Sequence, residues 1–253
     1  GGQTTLATGG LTGQTRFAGQ MTDEDWEAWK DGVIERLADH FTAEAEAADL
    51  VNAFFSQNAG KGVRLFELLS KRYDVVTANP PYMGSGNINK SNISYIKSRY
   101  PQGKRDLYSC FILRCYQLSR RNGKIGMVTQ QSWMFLKSFS NLRTSDFLDK
   151  PNKNLGENDF KGLLNDTNIE TLVHLGSHSF SEVSGEIVNS VLFTFSKCLS
   201  IKGHQITISR LIGTKSPHEK AQLLKISANN NYQNGIYHIE QNIFLSIPGA
   251  PII

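Results

Sequence analysis

The sequence predicts an α/β protein built on a largely parallel sheet, and three observations carry that reading. Runs rich in β-branched and apolar residues, without helical period, recur at 74–78, 124–129, 170–175 and 190–195. Stretches of helical spacing separate the earlier runs, as strand–helix–strand units require. The first run is closed by Asn79-Pro80-Pro81, a rigid turn.

The elements follow in order. Residues 1–20 are rich in Gly and Thr and read as a loop. Thr22 is placed to cap a helix whose first turn holds acids, where the dipole favours them, and Trp26, Trp29, Val33 and Leu37 recur at helical spacing. The Ala- and Glu-rich run to about Asn58 continues as helix, Gly60-Lys61-Gly62 reads as an ordinary loop, and Leu65, Leu68 and Leu69 mark a short helix before Lys71. Residues 74–78 form a buried strand. Asp106 then caps a helix running to Ser119, with Leu107, Phe111, Cys115 and Leu118 on one face and Asn122-Gly123 as its stop. The second strand is 124–129, residues 140–148 are helical, 149–159 is a polar surface loop, and 170–175 and 190–195 are two more strands. Beyond Ser200, a strand at 204–209, a helix near 217–226 and an Asn-rich turn at 229–234 read as a new module beginning. The expected division is therefore 1–62, a loop plus acidic helical segment; 63–200, the catalytic α/β region; and 201–253, a linker and the start of a further domain.

Composition narrows the function classes. The 253 residues are enough for a sizeable core, with 39% apolar residues, which excludes disorder as the main state. No stretch reaches the ~18 continuous apolar residues of a membrane helix. Three cysteines form neither a disulfide framework nor a zinc knuckle, so a reducing cytoplasm is the expected compartment. The net charge of +4 hides an uneven distribution: residues 22–50 hold ten acids against Lys30 and Arg36, leaving the rest of the chain basic. Between 90 and 124, Lys90, Lys97, Arg99, Lys104, Arg105 and four more cations face Asp106 alone, with tyrosines interleaved. That pattern fits phosphate contact and base stacking, or equally a solvated helix face with core aromatics.

The chemistry centres on Asn79-Pro80-Pro81-Tyr82. In open α/β sheets the carboxyl edge of the strands is where ligands bind. Two successive prolines hold φ near −65° and remove two backbone donors, so the carbonyls and flanking side chains stand at fixed angles. The Asn79 amide oxygen and the Pro80 carbonyl then offer two acceptors, and Tyr82 a flat aromatic face, to a planar group bearing an exocyclic amine. Acceptors on both amine protons draw the nitrogen toward tetrahedral geometry and free its lone pair, so attack needs no general base. Catalysis by such a site is positioning and electrostatics.

This tetrapeptide resembles motif IV of the amino-group DNA methyltransferases that use S-adenosylmethionine, and its leading Asn matches the adenine-N6 members. The likeness continues in Lys104-Arg105-Asp106-Leu107-Tyr108, in Gly123-Lys124-Ile125-Gly126-Met127-Val128 with Ser132-Trp133, and from Leu175-Gly176 through Phe180 to Phe195. More narrowly, 73–85 together with Phe244 and 247–252 is similar to the large adenine-specific methyltransferases of bacteriophage-exclusion (BREX) systems. The resemblance implies the carboxyl-terminal half of a Rossmann-like methyltransferase sheet. It implies S-adenosylmethionine as cofactor, double-stranded DNA as partner, possible association with other phage-defence proteins, and an adenine flipped between Tyr82 and Phe180. By position after the catalytic turn, Lys90, Lys97, Arg99, Lys104 and Arg105 become candidates for DNA-backbone contact. The family's glycine-rich cofactor loop has no counterpart here, because Gly84-Ser85-Gly86 follows the turn and Gly60-Lys61-Gly62 follows no predicted strand. The first three strands are therefore expected before Gly1, most of a target-recognition domain after Ile253, and no activity from this stretch alone.

Other candidates are weaker. His174 and His178 flank a Gly-Ser loop rather than a helix face and make a poor metal pair. Cys110 and Cys115 read as core, and Trp133 as packing. Two rival functions stay open: a methyltransferase acting on a protein glutamine amide, which also uses Asn-Pro-Pro-Tyr, and a non-catalytic DNA-binding component of a defence complex.

Overall fold

The computed structural model describes residues 23–47, 50–144, 160–180, 188–214, 216–228 and 235–252. Thr22 as a cap, the 149–159 loop and the turn at 229–234 lie outside them. The chain divides into two compact units, Gly1–Lys71 and Arg72–Ile253.

The first unit is a helical pair, α1 (Asp23–Ala47) and α2 (Leu50–Ser70). Ile34 and Ala38 are buried in it, whereas Trp29 and Leu37 are largely exposed, so the seam lies one residue round from the expected stripe. The loop expected at Gly60-Lys61-Gly62 is continuous helix within α2. A glycine in a helix costs about 1 kcal/mol against alanine, a penalty that packing can outweigh: a Cβ on Gly60 would already stand 3.6 Å from the Cβ of Phe41.

The second unit holds β1 (Tyr73–Ala78), α3 (Lys90–Arg99), α4 (Leu107–Leu118), β2 (Ser119–Gln130), α5 (Ser140–Arg143) and α6 (Leu163–Asp166). It continues with β3 (Asn168–Gly176), β4 (Ser190–Ser196), β5 (Gln205–Arg210), α7 (Pro217–Ala228) and β6 (Ile236–Glu240). All six strands join one sheet in the order β1-β2-β4-β3-β5-β6. The α/β class is as expected, but the sheet is mixed rather than largely parallel. β1/β2 and β3/β5 are parallel, while β4 runs antiparallel to both β2 and β3, and β6 antiparallel to β5.

Two boundaries also move. The helix stop expected at Asn122-Gly123 comes earlier, at Leu118, and those two residues form an irregular turn inside β2: register jumps from Tyr73↔Ser119 to Val75↔Lys124. Asn122 has φ 63°, and a Cβ on Gly123 would fall 2.4 Å from Ser119 Oγ. The module expected beyond Ser200 is continuous with the sheet, since β5 pairs with β3. Buried Gln241 seals the join, accepting from Ile169 N at 2.8 Å and donating to Leu164 O at 3.0 Å and Thr167 O at 2.6 Å.

The core lies where alternate residues of β2 and β4 meet α4, through Ile112, Ile125, Met127, Phe193 and Phe195. The Phe193 and Phe195 rings stack at 5.8 Å, and Trp133 packs on Phe193 at 4.9 Å. β1 does not fit the expected buried strand. Its one neighbour among the described residues is β2, and Val75 is 63% exposed.

Arg143, 1% exposed, is spent on main-chain oxygens. Nε donates to Ala250 O at 2.9 Å, Nη2 to Gly249 O at 2.7 Å, and Nη1 to Trp133 O at 2.7 Å and Leu136 O at 2.9 Å. Burial lowers its pKa to about 10, still well above neutrality. Replacing Arg143 by Met leaves those carbonyls without donors, and should lower the unfolding free energy by about 3 kcal/mol. Urea denaturation of the intact protein measures this, and an unchanged midpoint contradicts it.

Candidate active site

Because β1, β2 and β3 share one direction and β4 runs against it, their ends bring four segments to one edge of the sheet. These are 79–82 after β1, 131–134 after β2, 176–180 after β3, and 189–190 before β4. The Gln131 N–H bonds Asn189 O at 2.9 Å across that edge, and His174 Nε2 meets Gln131 Oε1.

Asn79-Pro80-Pro81-Tyr82 leaves β1 at this edge. Pro80 is buried, Asn79 and Pro81 are exposed, and Tyr82 is half-buried. Among the described residues no donor reaches the Pro80 carbonyl. The prolines have no N–H, and the donor just past Tyr82, on Met83, is held at 3.0 Å by Asp106 Oδ1. The same oxygen accepts the Tyr108 N–H at 3.2 Å as the N-cap of α4. Leu107 N donates to Met83 O at 2.9 Å and Ser85 N to Arg105 O at 2.9 Å, so the corner and the start of α4 are sewn together on both sides. Burial raises the Asp106 pKa, against its backbone hydrogen bonds.

The Tyr82 ring meets Tyr108 edge to face, with centroids 6.1 Å apart and planes at 86°. Tyr108 is itself fixed by Ser132 Oγ at 2.7 Å and by Phe139 at 5.9 Å. Burial raises both phenol pKa values, so both stay neutral near pH 7. Ser190, fully buried at the start of β4, is beside the Tyr82 hydroxyl and opposes that rise, yet neither hydroxyl completes a well-formed hydrogen bond. Trp133 is fully buried and donates to Thr129 Oγ1 at 2.9 Å, as packing predicts.

Phe180 follows β3 by way of a tight turn and is 40% exposed. The topology brings it to the same edge as Asn79-Pro80-Pro81-Tyr82. Lys90, Lys97 and Arg99 lie exposed on α3, and Lys104 and Arg105 on the turn that leads into Asp106. None of the five enters a salt bridge among the described residues. The turn is clamped to α4: Gly103 O accepts from Ser109 Oγ at 2.5 Å and Cys110 Sγ at 3.2 Å, and a Cβ on Gly103 would strike the Ser109 backbone at 2.8 Å. Among the described residues no three metal-ligating side chains gather; His178 bonds the neighbouring Ser177 Oγ at 3.0 Å.

Sequence reasoning missed Ser132 and Tyr108 as supports of Tyr82, and Ser190 as its neighbour. Tyr108 had a signal, since it lies two residues after a cap. Ser190 had none, because strand pairing alone brings it there.

An Asn-Pro-Pro-Tyr corner at the carboxyl edge of a sheet, with β4 inserted antiparallel between β2 and β3, is an α/β fold of the methyltransferase class. The profile of the Eco57I restriction-modification methylases matches residues 14–180. The chain belongs to that family. It is 33% identical over 190 residues to the adenine-specific methyltransferase PglX of Lacticaseibacillus casei, covering 75% of this chain and 14% of that protein. It is 32% identical over 185 residues to the adenine-specific methyltransferase BrxX of Escherichia coli O9:H4, covering 73% of this chain and 13% of the relative. The chain thus spans about a seventh of these curated relatives. Among solved structures, it is similar to a nuclease-deletion mutant of the Type ISP restriction-modification enzyme LlaGI in complex with a DNA substrate mimic, at 17% identity and TM-score 0.49, covering 75% of this chain and 19% of that one.

Asp106 joins the corner to α4, so Asp106→Ala should cost about 1–2 kcal/mol, in the range of a lost helix cap. Asp106→Asn, which keeps the accepting oxygen, should cost less than half as much. Thermal denaturation of the two variants checks the ranking, and equal losses would contradict it.

Proposed function

We propose that this chain forms the target-base side of an S-adenosylmethionine-dependent DNA methyltransferase that modifies N6 of adenine, within a phage-defence system of the BREX or restriction-modification kind. The observation that carries the proposal is the diproline corner after β1, where the Asn79 side chain and the bare Pro80 carbonyl stand at the sheet edge beside a neutral, half-buried Tyr82. Asn79 and Pro80 accept the two amine protons of the adenine. Tyr82 stacks on one face of the ring and Phe180 on the other. The amine is paired inside a duplex, so the base must be turned out before it can reach this edge. A neutral site suits the step, because the nucleophile is an amine whose lone pair is released by hydrogen bonding rather than by a base.

The pair of acceptors and the flat phenol ring fit the amine that receives the methyl group. Among the described residues no cradle for the cofactor accompanies them, since Gly84-Ser85-Gly86 follows the corner and Gly60-Lys61-Gly62 is helical. S-adenosylmethionine, when bound, supplies a methyl on a cationic sulfur; the residues of this chain hold the base, exclude water from its ring faces and fix its amine.

Lys90, Lys97, Arg99, Lys104 and Arg105 would follow the phosphate backbone on the approach to the corner. Their support is unpaired exposure on a strip joined to that corner through Arg105 and Asp106.

Asn79→Ala in the intact protein should abolish N6-methyladenine in cellular DNA, read by mass spectrometry of digested DNA; modification at the unaltered level rejects the proposal. Methylated glutamine in a protein, with no methylated DNA, would instead favour the protein-amide reading. Reversing Lys97 and Arg99 to Glu should weaken DNA binding and flatten the slope of log K against log salt by roughly 2, at about 0.9 per phosphate contact. Fluorescence titration at several salt concentrations measures the slope, and an unchanged one removes these residues from the interface.

A further inference from the structure

Lysine is almost never fully buried without a charged partner. Lys220, on the first turns of α7, is nevertheless 2% exposed. No carboxylate among the described residues pairs with it. Its ammonium donates instead to two main-chain oxygens at the end of β3, Leu175 O at 2.6 Å and Ser177 O. Between those carbonyls lies Gly176, with φ +68°, where a Cβ would approach Ile212 within 3.1 Å. The chain therefore bends sharply where it leaves the sheet, and the bend turns both carbonyls to one cation. Ser179 Oγ closes the turn on Gly176 O at 2.8 Å, and Leu211 N holds His174 O at 2.9 Å just before it. Phe180 is the next residue, a large apolar side chain left 40% exposed just after a segment whose four carbonyls, 174 to 177, are all engaged.

We propose that Lys220 is a positioning residue for Phe180. A buried ammonium is costly, and a methionine of similar length would fill the same space without that cost. What the ammonium adds is direction: two carbonyls aimed at one point fix the bend at Gly176, and the bend fixes where Phe180 stands along the sheet edge. The inference deepens the proposed function and rests on Phe180 as the second stacking face of the adenine.

The test uses the intact protein and a duplex carrying 2-aminopurine at its methylated adenine, the position having been mapped by sequencing of modified bases. Fluorescence of the turned-out base reports stacking, and kcat and KM are measured on the same duplex with adenine at that position, since 2-aminopurine has no 6-amino group to methylate. Lys220→Met should lower kcat/KM by about ten- to a hundredfold, as small misplacements do, and should weaken quenching of the turned-out base. The double variant Lys220→Met with Phe180→Ala should be no worse than Phe180→Ala within twofold, because Lys220 acts through that ring. A purely structural role would lower thermal stability and leave quenching by the folded fraction intact, and this overturns the proposal. So do losses that multiply in the double variant. If Lys220→Met does not fold, Lys220→Leu, which also removes the donors, carries the same comparison. Phe180→Ala without effect on stacking would overturn the two-face reading itself, and the inference with it, whereas a strong Phe180→Ala effect beside a silent Lys220→Met overturns only the inference.

Discussion

One carboxylate organises the edge on which everything else depends. Two prolines remove two donors from the corner after β1, and the backbone N–H just past Tyr82, on Met83, anchors it. Asp106 takes that donor and the first free donor of α4 with the same oxygen. The corner, the cationic turn before Asp106 and the helix that supports Tyr82 through Tyr108 thus share a single joint. The Pro80 carbonyl is left bare among the described residues, with the two proline donors absent and the Met83 N–H engaged by Asp106.

The rest of the edge is held by a second device, cations buried against neutral carbonyls. Arg143 binds the loop after β2 to the segment around Ala250, and Lys220 binds the turn after β3. In each case a helix outside the sheet reaches a loop at the sheet's end. Ion pairs could have done this only by burying acids beside a site that works with neutral groups. Carbonyl acceptors add no negative charge beyond that of Asp106, and burial first, with Asp106 beside Tyr108, raises the phenol pKa values of Tyr82 and Tyr108.

Much of this was legible in the amino-acid order, and the limits have physical causes. The runs at 74–78, 124–129, 170–175 and 190–195 all lie in strands, and Asp106 caps its helix, because β-branched runs and side-chain caps are local signals. Strand direction is not local. Nothing in 190–195 says that it lies antiparallel between β2 and β3, and nothing in 204–209 says that it joins the same sheet. Burial fails likewise: 74–78 reads as a core strand, yet Val75 is exposed on an edge. Gly60 and Gly62 read as a break, yet the helix runs on through both, with Gly60 packed close to Phe41 of α1. At the candidate site, Asn79-Pro80-Pro81-Tyr82 announces itself through backbone chemistry that any four-residue window reveals. Arg143, Lys220 and Ser190 are single polar residues whose partners lie far along the chain, and only the fold discloses them.

The clamp at Gly103 has a thermodynamic corollary. With its carbonyl held by Ser109 and Cys110, and no room for a side chain, the cationic turn has its shape before it meets any anionic lattice. Docking by such a surface does not have to order a floppy segment, so calorimetry of the association would lack the large negative heat-capacity change that accompanies folding on contact. The surface would behave as a rigid stamp rather than a wrapping arm.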